Sequence, residues 1–172
     1  MKRFLLGGSV AAAIIFGALP AQADLEDRLS EAQITFRVGG YIPFEQALRD
    51  QATVWINVGG DIEMNFSLFK EGMTGLSLDW MTNTGGKRNN IFPVMLSQRY
   101  YSGHFGQRTY FHVGLGVAFV DVVPADTVFG IKAGIGMEWT ENMIAEANLF
   151  WMDETKGGAK AMGVTVSAGI RF

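Results

Sequence analysis

The stretch 161-AMGVTVSAGIRF-172 alternates strictly. Met162, Val164, Val166, Ala168, Ile170 and Phe172 fall on one side of an extended chain. Gly163, Thr165, Ser167, Gly169 and Arg171 fall on the other. A period of two is the signature of a β-strand with two chemically different faces. Which of those faces points outward decides the fold, and one strand alone cannot answer that.

The same period runs through most of the chain upstream. Seven further segments carry it: 33–43, 52–64, 74–81, 91–101, 109–122, 127–139 and 142–152. Clusters rich in Gly, Asn, Asp and Pro separate them, among them TNTGGKRNN, SGHFGQR, VPAD, TEN and DETKGGAK, the residue types tight reversals need. NFSLFKEG, between the second and third segments, reads as the one long connection. A helical period is visible only in DLEDRLSEA, residues 24–32, a short segment ahead of the first strand.

Sorting every segment by parity gives the same division. Apolar faces carry, for example, Phe111, Val113, Leu115, Val117 and Phe119 in the fifth, and Phe129, Ile131, Ala133, Ile135 and Met137 in the sixth. No charge interrupts them. The opposite faces are rich in Gly, Ser, Thr and Ala, with few charges: Arg37, Arg99, Lys132 and Arg171 against Asp61, Glu63, Asp79, Glu138 and Glu146. A solvated outer surface would be densely charged. A crowded interior needs small side chains and balanced charges, because an unpaired buried ion costs several kcal/mol. The pattern therefore predicts an all-β, eight-stranded antiparallel up-and-down barrel that spans a membrane, apolar face to lipid, with a polar, salt-bridged interior.

Aromatic residues support this reading. With the first strand rising from the periplasm, Trp80, Phe92, Phe119, Phe129 and Trp151 fall near the outer ends of their strands. Tyr100, Phe111, Trp139 and Phe172 fall near the inner ends. Two girdles are expected where amphipathic rings meet the lipid headgroups.

The first residues read differently. Lys2 and Arg3 precede the apolar stretch FLLGGSVAAAIIFGALP, and Ala21-Gln22-Ala23 matches a signal-peptidase site, so residues 1–23 are expected to be a cleaved secretory signal. Residues 24–32 would then be a periplasmic segment and 33–172 the barrel. Loss of Lys2 and Arg3 takes the formal charge from −3 to −5, which makes nucleic acid an unsuitable partner. The chain has no Cys, hence no disulfide framework and no lipid-modifiable thiol.

On these residues, and on the terminal VTVSAGIRF, the chain resembles the small eight-stranded outer-membrane barrels of Gram-negative bacteria, the superfamily of the outer-membrane protein A barrel and the opacity-type proteins. The resemblance implies a bacterial outer-membrane location in contact with lipid and lipopolysaccharide, and passage through periplasmic chaperones to the assembly machinery. Val164, Val166, Ala168, Ile170 and Phe172 look like the terminal signal that machinery reads. A monomer is the expected state.

Candidate chemistry is sparse. Two barrels of that superfamily modify lipid A, one through a serine activated by a nearby histidine. The histidines here are His104, in an inner-side connection, and His112, inward on the fifth strand. Neither has a serine at the short spacing of that motif, and Ser97 lies on the neighbouring strand. Gly114-x-Gly116 and Gly134-x-Gly136 lie mid-strand with no helix following, unlike a nucleotide loop. Lys87, Arg88, Lys156 and Lys160 sit in outer loops where lipopolysaccharide phosphates could reach them. No catalytic residue, cofactor or metal is expected. The leading expectation is a non-catalytic structural or surface-interaction protein. The alternatives are a narrow channel for ions or small solutes, a lipid A-modifying enzyme and a soluble ligand-binding barrel.

Overall fold

In the computed structural model, eight antiparallel strands close on themselves in sequence order, each paired with its neighbours and the last with the first. The structure describes residues 32–64, 66–69, 72–83, 85, 89–104, 107–122 and 125–172. The signal-peptide reading, the segment 24–32 except its last residue, and the loop residues Lys87 and Arg88 lie outside them. The strands are β1 Gln33–Pro43, β2 Trp55–Met64, β3 Met73–Thr82, β4 Asn90–Ser102, β5 Thr109–Asp121, β6 Asp126–Glu138, β7 Met143–Met152 and β8 Gly163–Arg171.

Closure rests on β1 and β8, which pair from Thr35 with Arg171 to Pro43 with Gly163. The ladder runs one residue further, where the Phe172 amide donates to the Ile34 carbonyl at 2.8 Å. No sheet edge remains open, so every strand has its backbone donors and acceptors turned to a neighbour, as a hydrocarbon environment requires. The end holding the start of β1 and the finish of β8 is termed the terminal end, and the opposite one the loop end.

The apolar faces point outward. Leu115 is 58 % exposed and Ile135 67 %, while on the opposite parity Arg37, Asn57 and Lys132 are fully buried. An apolar surface encircling the molecule has no place in water, since exposed apolar patches of ordinary soluble monomers are far smaller. The outer wall is a lipid-facing surface.

Two features differ from the sequence reading. The second strand begins at Trp55, not at residue 52, and a helix, α1 Gln46–Arg49, occupies the connection before it. That connection, running from Pro43 to Trp55, is longer than NFSLFKEG, so the latter is not the one long connection. A single helical turn leaves too little periodicity to detect; its one inward anchor is Leu48, 1 % exposed. Nor is the interior polar throughout. Tyr41, Trp55, Met81, Ile91, Val120 and Met152 belong to a buried apolar cluster, and all sit at strand termini of the loop end. Tyr41 meets Trp55 edge-on at 6.0 Å between ring centroids, and the Trp55 indole donates to the Ala52 carbonyl at 3.1 Å.

Candidate interior network and outer wall

The interior changes character along its axis, apolar toward the loop end and ionic toward the terminal end. The nine charged residues of the inward parity are all buried and all ion-paired. Arg37 on β1 sits between three carboxylates: its Nε lies 3.0 Å from Asp61, its Nη2 3.2 Å from Asp79, and its Nη1 bonds Glu146 on β7, over the intervening β8. Arg99 on β4 bridges Asp61 at 2.8 Å, Glu146 at 3.2 Å and Glu63. Lys132 reaches Asp79 at 3.5 Å and donates to Ser77 Oγ at 2.9 Å. Arg171 pairs with Glu138 and lies 3.8 Å from Glu63.

Sequence reasoning missed three members. Arg108, in the connection before β5, pairs with Glu138 at 2.7 Å and lies over the Tyr101 ring at 3.7 Å. With it, the described network holds five cations against five carboxylates. Tyr101 donates to Glu63 at 2.6 Å and Tyr110 to Glu146 at 2.9 Å. Parity already set Tyr110 inward beside His112, though not its bond to Glu146; the same parity continued one step past the strand boundary at Thr109 would have set Arg108 inward too. Each carboxylate thus meets several donors, which is what offsets the desolvation of so many ions in so small a volume.

The inward glycines make that crowding possible. A Cβ on Gly136 would overlap the Tyr110 ring, and one on Gly59 would fall on Asp79 and within 3.1 Å of Arg37 Nη2. Gly134 and Gly136 leave room for Asn148, His112 and Tyr110, whereas Gly114 and Gly116 let the β4 backbone and Ser97 approach closely.

His112 is 1 % exposed, and neither ring nitrogen has a hydrogen-bond partner; the Ser97 hydroxyl likewise has none. His112 and Ser97 thus make no hydrogen bond to each other. His104 is exposed in the connection after β4. Among the described residues no group of acidic, His or Cys side chains could hold a metal ion. In the loop-end turns, Lys156 pairs with Asp126 at 3.2 Å and Lys160 with Glu154 at 3.5 Å, so both are matched locally by carboxylates.

On the outer wall, Phe92 and Phe119 face each other across β4 and β5 near the loop end, centroids 6.5 Å apart. Tyr100 stacks on Phe111 near the terminal end at 4.8 Å. Trp80, Phe129 and Trp151 project outward near the loop end, and Trp139 and Phe172 near the terminal end. Val164, Val166, Ala168, Ile170 and Phe172 share the outer face of β8, with Phe172 77 % exposed.

No protein-family model matches the chain, and no curated protein matches it in sequence. Solved structures do match it. Neisserial surface protein A is 12 % identical over 81 % of this chain and 95 % of its own, with a TM-score of 0.54. The outer-membrane protein Ail of Yersinia pestis, in a phospholipid bilayer nanodisc, is 12 % identical over 83 % of this chain and 100 % of its own, at 0.56. Ail in complex with the heparin analogue sucrose octasulfate is 13 % identical over 82 % and 96 %, at 0.50. Likeness at such identities is likeness of fold. Taken with strand number, closure and an outward apolar wall, it shows that the chain has the fold of the small eight-stranded outer-membrane barrels.

Proposed function

We propose that this is a non-catalytic, non-conducting barrel of the bacterial outer membrane, with a structural or surface-interaction role. The observation that carries it is the filled interior. Toward the loop end, Leu48 of α1 packs into the apolar cluster with Tyr41, Trp55 and Met81. Gln51 ties this cap to the next connection, accepting from Asn83 at 3.0 Å and from Asn89. Below it the ion-paired network spans the interior, from Arg99 on β4 to Glu146 on β7. Among the described residues, the cavity lined by Asp61, Glu63, Ser77, Ser97 and Arg99 inside the network has a volume of about 10 Å³, the least that a single water needs. Eight strands leave an interior just wide enough for side chains, and here side chains fill it.

The N-terminal segment lies on the periplasmic side and α1 with the loop end faces outward, which puts the cap where it seals the barrel against the exterior. Residues 1–23 direct export and are removed. The outer wall meets lipid and lipopolysaccharide; delivery uses periplasmic chaperones and the assembly machinery, and the barrel works as a monomer. Ail binds a sulfated sugar analogue, but Lys156 and Lys160 are neutralised by their own carboxylates, which disfavours a polyanion on that turn.

Single-channel recording in a planar bilayer tests the reading. Folded, inserted protein is expected to stay silent. Discrete openings that change when Arg99 or Glu138 is neutralised would replace this reading with that of a gated pore.

A further inference from the structure

We propose that the β2–β3 connection is a membrane anchor: residues 66–69 fold back onto the outer wall and insert Leu68 and Phe69 into the lipid leaflet at the terminal end. Two outward-facing positions near that end are polar, Thr74 on β3 and Gln98 on β4, paired with each other in register. Facing lipid bare, they would be out of place; instead they are 0 % and 4 % exposed.

The connection covers them. The Leu68 amide donates to Thr74 Oγ1 at 3.0 Å, Gln98 Nε2 donates to Ser67 Oγ at 2.7 Å, and the Thr74 hydroxyl donates to Gln98 Oε1 at 2.8 Å. The Thr74 amide also donates to the Phe66 carbonyl at 2.8 Å. Gly72, at φ 97°, makes the reversal, and its α-carbon approaches the Arg99 backbone too closely for a side chain.

Depth follows from register. Tyr100, whose ring stacks on Phe111 in the terminal-end girdle, lies two residues beyond Gln98 toward the strand end. A backbone bonded to Thr74 and Gln98 is therefore deeper than that girdle, on the hydrocarbon side of it. Yet Leu68 is 45 % and Phe69 66 % exposed, beside an apolar wall that already faces lipid. Aromatic and aliphatic side chains at this depth, with their backbone satisfied by polar wall residues, fit acyl chains and not an aqueous partner. This rests on the barrel being embedded in a membrane.

The chain has no Cys, so a single introduced thiol can carry a nitroxide without background. Phe69→Cys, Leu115→Cys on the mid-wall and Lys156→Cys, 84 % exposed at the loop end, would be labelled and inserted into phosphatidylethanolamine–phosphatidylglycerol vesicles. Collision with oxygen, which concentrates in hydrocarbon, is compared with collision with a water-soluble nickel chelate. The oxygen-to-chelate ratio at residue 69 is expected several-fold above that at 156 and close to that at 115. A ratio at 69 matching 156 while 115 stays lipid-like would overturn the anchor and leave the membrane barrel standing. A water-like ratio at 115 would overturn the barrel reading and the anchor together. Should Phe69→Cys fail to fold, Leu68→Cys reads the same depth with the same criteria.

Discussion

Leu115 and Ile131 sit opposite each other in the β5–β6 ladder, both outward and both far from either strand end. An arginine at either place would have to reach a headgroup from the mid-wall. Leu115→Arg and Ile131→Arg are each expected to lower stability by about 2–4 kcal/mol, read by reversible urea unfolding in vesicles. A neutral result would mean the wall does not face lipid. Ser167→Arg acts by a different route, since Ser167 is buried against Gly39 inside the barrel and extra volume there has nowhere to go. Arg37 is the opposite case. Removing it as Arg37→Met leaves Asp61, Asp79 and Glu146 short of a shared cation, and a loss of about 3–5 kcal/mol is expected in the same assay. Replacing a buried network wholesale by apolar side chains would be far milder, so the loss measures the stranded carboxylates and not the intrinsic worth of the pairs.

At the level of elements, the connection holding α1 matters most, because it converts an open barrel mouth into a closed one. Trp55 is fully buried beneath it. Trp55→Ala is expected to destabilise by about 3–5 kcal/mol through the cavity it leaves, and to raise bilayer leak above that of the silent parent. If conductance in the variant equals that of the parent, the ionic layer alone closes the barrel. The β8 strand has a separate role. Its Phe172 side chain projects into lipid while its backbone pairs with Ile34. Phe172→Ser should therefore refold in detergent with little change, yet reach the outer membrane in reduced amount when expressed in a Gram-negative host; equal amounts by membrane fractionation would remove the assembly role suggested for that residue.

Across the whole molecule, two interior layers share the work of filling the barrel. The apolar layer excludes water at one end, and the ionic layer joins all eight strands through side chains at the other, β5 by Tyr110 and β8 by Arg171. Bonds such as Arg37 to Glu146 and Arg99 to Glu146 link strands that share no ladder with each other. They resist shear in a way neighbour pairing alone does not, and they tie the interior to one register.

Period two in 161–172 and its counterparts determined the strands, their number and their outward faces, because in a barrel wall the facing of each residue is set by parity alone. The same parity separated Arg37, Asp61 and Glu146 from the wall. What it could not determine was who meets whom. The pairing of Arg37 with Glu146 depends on barrel shear and tilt, which bring residues 109 positions apart to one level. The cap formed by α1 and Leu48 depends on the shape of the mouth it fills, and one helical turn carries no period of its own. The fold-back of residues 66–69 arises from two polar side chains on an otherwise apolar wall, which only the β3–β4 pairing sets side by side within reach of the connection.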